Sequence, residues 1–155
     1  GWCVGGGVAL STSLDLRIVG KDATFYVPEI ERGMNMGWGS TPRIAHLVGP
    51  ARAKRMVILA EKVTAETALG WGLADTVADN GAALDTAIAW AEKAASMPPA
   101  AMRMCKQTIS AATTAFDRAV THADMDQFAL TLTSKDDDEA VKAFFEKRKP
   151  DFTGE

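Results

Sequence analysis

The sequence predicts an α/β fold, sheet-like at the start and helical afterwards. Three observations predict it. Short β-branched and aromatic runs such as Leu16-Arg17-Ile18-Val19 and Thr24-Phe25-Tyr26-Val27 stand early in the chain. Apolar residues recur at helical spacing from Ser40 onward. No repeat and no flexible linker separates the two regions, so the order reads as α/β with a helical tail. Residues 1–80 are assigned to the α/β core and residues 81–155 to a helical C-terminal region.

The elements follow in order. Val8 to Leu14 reads as a short helix behind the glycines Gly5-Gly6-Gly7. The strands Leu16–Val19 and Thr24–Val27 flank the polar turn Gly20-Lys21-Asp22. Gly33 to Gly39 is a loop holding three glycines and two methionines. Pro42 suits a first helical turn, with Ser40 or Thr41 as its cap, and Gly49 ends that helix. Pro50 opens the next helix, through Met56 and Leu59. Thr64 caps a short helix that Gly72 closes, and Leu73 to Val77 reads as a last strand. Ala82 to Ser96 is an alanine-rich helix broken by Pro98-Pro99, which starts another. A helix is predicted from about Ala115 to Leu132. The last spans about Asp137 to Lys147, with Asp136 to Glu139 at its positive end and Lys147, Arg148 and Lys149 at its negative end.

At 155 residues the chain can bury a real core. A net charge of −3 gives no reason to expect nucleic acid or a membrane surface as partner. No apolar run is long enough to span a bilayer, and the first residues lack the basic segment and cleavage pattern of a signal peptide. Cys3 and Cys105 make no disulfide framework, so a reducing cytoplasm is expected. His46 and His122 have no partner at metal spacing and read as structural or surface side chains, with no metal site. The chain opens without Met and inside what reads as a functional loop, which suggests a piece of a longer protein.

Two features carry chemistry. Gly5-Gly6-Gly7 opens an apolar run, and glycines let backbone N–H groups approach a ligand closely. If a helix starts there, its first N–H groups face outward and can hold a developing negative oxygen. Glu29 stands after Pro28, between Val27 and Ile30, where partial burial raises a carboxyl toward a useful range. Oxyanion donors beside a proton-moving acid suggest enolate chemistry. The spacing is not that of a dinucleotide fingerprint. Glu31 would share a face with Glu29 if the strand continued. Asp15 reads as a structural group satisfying backbone donors at a strand start.

The chain resembles the crotonase superfamily, the enoyl-CoA hydratase/isomerase family, over nearly its whole length. The resemblance rests on Gly1-x-x-x-Gly5-Gly6-Gly7, Asp15-Leu16-Arg17-Ile18, Phe25-x-x-Pro28-Glu29-Ile30, Gly33 with Gly37 and Gly39, and Arg43. It continues through Val48-Gly49, Ala51-x-Ala53, Ala65-x-x-Ala68-x-x-x-Gly72-Leu73 and Phe144-x-Glu146-Lys147-Arg148-x-Pro150-x-Phe152. Each piece is weak alone; the ordered series is specific. It implies a crotonase-like (ClpP/crotonase) fold, with part of the sheet core followed by a helical C-terminal trimerisation region, here as the C-terminal portion of the chain.

The resemblance also implies acyl-CoA thioesters as substrates, with coenzyme A as part of the substrate and no other cofactor. One oxyanion donor falls at Gly6, the second upstream of residue 1. Substrate contacts fall on Cys3, Gly5, Gly7, Pro28, Met34, Met36, Gly37 and Trp38. Family members form a trimer or a dimer of trimers, with a Phe and a Lys reaching a neighbour's CoA; those are Phe144 and Lys147 here. For Cys3 a plain apolar role stays open, and for Met34, Met36 and Trp38 core and acyl pocket are both open.

One departure stands out. Family hydratases carry a Glu two residues after the triplet, where this chain has Ala9. Hydration usually needs one group for water and another for carbon. With Glu29 alone, an isomerase moving a double bond, or a related lyase, is favoured; without the second oxyanion donor the fragment by itself is expected to be inactive. A hydratase recruiting another acid, Glu31 or one outside the chain, and a catalytically silent crotonase-fold assembly or binding protein are the alternatives. Met36, where many members have Pro, leaves the acyl-chain preference open.

Overall fold

A computed structural model describes residues 1–121 and 123–155. His122, read above as structural or surface, lies outside the described residues. The chain opens with strand β1 (Trp2–Val4), which turns at Gly5 into helix α1 (Gly6–Thr12). Strands β2 (Ile18–Gly20) and β3 (Thr24–Tyr26) follow, then a 3-10 helix over Glu29–Arg32. Helices α2 (Ser40–Val48) and α3 (Pro50–Val57) lead to β4 (Val63–Thr64), α4 (Ala65–Trp71) and β5 (Thr76–Ala78). The rest is helical: α5 (Ala83–Ala95), α6 (Pro99–Thr114), α7 (Asp117–Thr121), α8 (Asp124–Thr131) and α9 (Lys135–Glu146).

Two small sheets frame the core. β3 lies between β1, to which it is parallel, and β4, to which it is antiparallel, with Cys3 opposite Phe25 and Phe25 opposite Val63. β2 pairs with β5 in parallel, Val19 opposite Val77. Parallel pairs need a crossover; here α1 and β2 lie between β1 and β3 in the chain. Val8, Phe25, Val27, Ile44, Met56, Val63 and Leu73 are fully or almost fully buried and join the elements into one core. No helix among the described residues is long and apolar enough to cross a membrane.

Several expectations needed correction. β1 forms in residues that read as a loop, because a three-residue strand carries too little pattern to register. The first helix begins at Gly6, so two of the three glycines lie within it. Gly39, in the left-handed conformation at φ +58°, precedes α2; neither Ser40 nor Thr41 caps it. Their hydroxyls donate instead to Gly37 O and Met36 O, tying the loop to the helix. The single helix expected over about 115–132 is two. The break lets α7 pack on α2 while Asp124, opening α8, accepts the Gly39 N–H at 2.8 Å.

Asp15 is exposed and pairs with Lys106. The strand-start donor is satisfied by Asp75, which accepts from the Arg17 N–H at 2.6 Å, while the Arg17 guanidinium donates to Leu73 O and Leu14 O. Lys147, Arg148 and Lys149 fall beyond the end of α9, and Arg148 turns back onto Glu139 and Glu146.

Candidate active site

The site forms where β1 ends, α1 begins and the 3-10 helix presents Glu29. Gly5 makes the turn at φ +50°, a conformation that side chains resist, and its N–H donates to Tyr26 O at 2.9 Å. A Cβ built on Gly5 would stand 2.3 Å from Glu29 Oε1. Gly5 is therefore required twice, by its backbone and by the carboxylate pressed against it. Beyond ligand approach, the first glycine of the triplet makes room for the acid.

Gly6 and Gly7 are exposed and occupy the first two helical positions of α1, whose start no side chain caps. The first N–H groups of a helix have no acceptor within it, so they face outward here. Cys3, half-buried on β1, sits under the same helix, its thiol 3.7 Å from Ser11 Oγ and pushed up by burial.

Glu29 is only 7 % exposed, and its Oε2 is buried with no hydrogen-bond partner among the described residues. Burial raises its carboxyl above the ordinary glutamate value; its own backbone and the Arg32 charge act the other way and do not cancel it. Pro28 precedes the 3-10 helix, and Gly33 closes it at φ +72°.

Glu31 does not share Glu29's face. The segment turns as a 3-10 helix at 3.0 residues per turn, so a residue two along points elsewhere. The Tyr26 hydroxyl donates to the Glu31 carboxylate, and burial followed by that bond pushes Tyr26 up to about 12. Ala9 is buried in the core, so no carboxylate stands at that position.

Ile30, the residue after Glu29, stands in the wall of a cavity of about 540 Å³ that Glu29 itself does not line. Met34 and Met36 line it together with Ala45, Ala53 and Val57, and Asn35, whose Oδ1 is buried and unpartnered among the described residues, adds a polar group. Met36 is thus both core and cavity wall. Gly37 is buried. Trp38 stands apart: 56 % exposed, at φ +60°, its ring centroid 6.2 Å from that of Phe128. Arg43 holds its carbonyl at 2.8 Å.

Phe144 and Lys147 lie at the other end of the chain. Phe144, on α9, meets Arg32 of its own chain, whose guanidinium sits 4.1 Å from the ring centroid. Lys147 is exposed at the C-cap of α9. His46 reaches Asp117 at 3.5 Å. Arg32, Asn35 and Asp75 carry no signal in the sequence; a helical turn at Pro28-Glu29 is the pattern that would point to Arg32.

A family model described as enoyl-CoA hydratase/isomerase matches residues 1–155. The chain belongs to the enoyl-CoA hydratase/isomerase family. It is 32 % identical over 149 residues to a short-chain-enoyl-CoA hydratase of Clostridium acetobutylicum, covering 96 % of this chain and 57 % of the relative. It is 32 % identical over 154 residues to the 2,3-dehydroadipyl-CoA hydratase of Escherichia coli, covering 99 % of this chain and 60 % of that protein.

Solved structures of the enoyl-CoA hydratase/isomerase family match its fold. A carnitinyl-CoA hydratase from Mycobacterium avium superposes with TM-score 0.91 at 31 % identity, over 100 % of this chain and 60 % of that one. An enoyl-CoA hydratase from Mycobacterium avium subsp. paratuberculosis gives 0.91 at 28 %, over 99 % and 62 %. The chain therefore has the crotonase fold. It spans about three fifths of the length of the relatives it matches.

Proposed function

We propose that this protein processes acyl-CoA thioesters by stabilising a thioester enolate, with Glu29 as the one acid/base and the Gly6 N–H as an oxyanion donor. The observation that carries the reading is the Glu29 carboxylate, buried, its Oε2 without a partner among the described residues, and pressed against Gly5 at the start of α1. The reaction this best supports is double-bond isomerisation. Glu29 takes a proton from C2 of a 3-enoyl thioester, and the electron pair moves onto the thioester oxygen. The Gly6 N–H is one donor to that oxygen. Glu29 then returns the proton to C4, leaving a 2-enoyl thioester. The sequence of steps needs one acid and no cofactor beyond the coenzyme A of the substrate.

The cavity behind Ile30 supports an apolar acyl chain, with Met34 and Met36 as adaptable walls. A homotrimer or dimer of trimers fits the apolar surface of the C-terminal helices.

A second reading, hydration, is favoured by the names of the relatives, several of which are hydratases. It requires a second proton-transfer group, and neither Ala9 nor Glu31 supplies one in this geometry. Both reactions should be assayed side by side in the full-length protein and in Ala9→Glu. The expected result is isomerisation faster than hydration in the wild type, and a gain of hydration in the variant. Wild-type hydration well ahead of isomerisation overturns the single-acid reading.

A further inference from the structure

A 3-10 helix repeats every three residues, so side chains at positions i and i+3 eclipse. Over Glu29–Arg32 the eclipsed pair is Glu29 and Arg32, an acid and a permanent cation. Arg32 is not left to wander in solvent. Its guanidinium lies 4.1 Å from the centroid of the Phe144 ring, a geometry in which the ring's negative face attracts a cation. Phe144 stands on α9, which packs directly on the 3-10 helix. The contact is close: a Cβ on Gly33 would meet the backbone of Asp137 at 2.8 Å. Phe144 stays 56 % exposed, so covering a core is not its task.

We propose that Arg32, clamped over the Phe144 ring by α9, is a positioning residue that holds a fixed positive charge on the face of the 3-10 helix that carries Glu29. Helix α9, at the far end of the chain, is thereby coupled to the acid/base; that last word rests on the function proposed above. Arg32 counteracts the burial that raises the Glu29 carboxyl and keeps it within reach of ionisation. Other charged or titratable groups lie on the neighbouring elements. Cys3 lies on β1 and Tyr26 on β3, and Glu31 shares the 3-10 helix. Asp136, Asp137 and Asp138 open α9, whose first turn packs at Gly33. Arg32 is the cation at the eclipsed position, and the acids on α9 make its retention there more consequential.

The test reads Glu29 directly. Full-length protein labelled with carboxyl-¹³C glutamate is titrated by NMR, and the Glu29 resonance is assigned as the one missing in Glu29→Gln. Arg32→Ala is expected to move the Glu29 midpoint upward, Arg32→Lys to return it toward the wild-type value, and Phe144→Leu to move it upward by less than Arg32→Ala. A midpoint unmoved by Arg32→Ala, or one moved equally by Arg32→Lys, overturns the charge role. A midpoint unmoved by Phe144→Leu overturns the clamp. The readout needs no turnover. If Glu29→Gln retains full activity, the acid/base reading fails while the titration still decides the coupling.

Discussion

In the function proposed above, Glu29 carries the chemistry on one carboxyl. General acid–base catalysis contributes about 10²–10⁴-fold in rate. Glu29→Gln in the full-length protein is therefore expected to lower turnover by that order while CoA-ester binding persists, checked by steady-state kinetics and calorimetric titration. A variant keeping more than about a tenth of the wild-type rate ends the assignment.

The same side chain makes a stability prediction. Burial raises the Glu29 carboxyl in the folded state above its unfolded value, so the protonated form favours the fold. That contribution is complete below the unfolded value and is lost as pH rises through the folded one. At neutral pH an ionised Glu29 is a buried charge without a partner among the described residues. Glu29→Gln is expected to melt higher than the wild type at pH 7, with the gap closing on acidification below the ordinary glutamate range. Melting curves across pH check this; a wild type more stable at neutral pH contradicts it.

At the scale of elements, the acid is placed by what packs against the 3-10 helix. Gly5 admits the carboxylate, and Gly33 seats α9. A side chain at Gly33 meets two penalties, the left-handed backbone at about 1–2 kcal/mol and overpacking against Asp137 at about 1–3 kcal/mol. Gly81, at φ +86° with open space around it, meets only a backbone penalty. Gly33→Ala is expected to cost at least about 1 kcal/mol more than Gly81→Ala in urea unfolding. Equal costs would mean that α9 does not bear on Gly33. Part of this was legible in the sequence: the paired Gly5 and Glu29 signals, the Thr64 cap and the closing Gly72 are local patterns. The strand that would put Glu31 on the face of Glu29 does not continue: Val27-Pro28-Glu29-Ile30 looks strand-like, but the chain turns into a 3-10 helix that packs on α9.

For the whole molecule, the helical region is the feature still to be explained. Helices α5, α6 and α8 bury none of their residues. On α6, Met104 is 66 % and Ile109 64 % exposed. Monomers rarely leave so much apolar surface open, so these helices call for a partner surface. The full-length protein is expected to scatter light as a trimer or a multiple of it, and Ile109→Asp to shift it to smaller species. A monodisperse monomer, or an assembly indifferent to Ile109→Asp, would show that α6 lies outside the interface.

The sequence by itself determined the family, the α/β order with its helical tail, three of the five strands, and the residues that could carry an enolate reaction. These follow from short-range patterns: glycine spacing, helical periodicity, caps, and an acid set among apolar neighbours. Only the tertiary structure decided that Gly5 exists to admit Glu29, that Glu31 belongs to Tyr26, that Asp75 and not Asp15 serves Arg17, and that Phe144 holds Arg32. Each of those is a contact between segments distant in the chain or turned by packing. Sequence spacing does not encode such contacts, because a side chain's partner depends on which face the folded backbone presents.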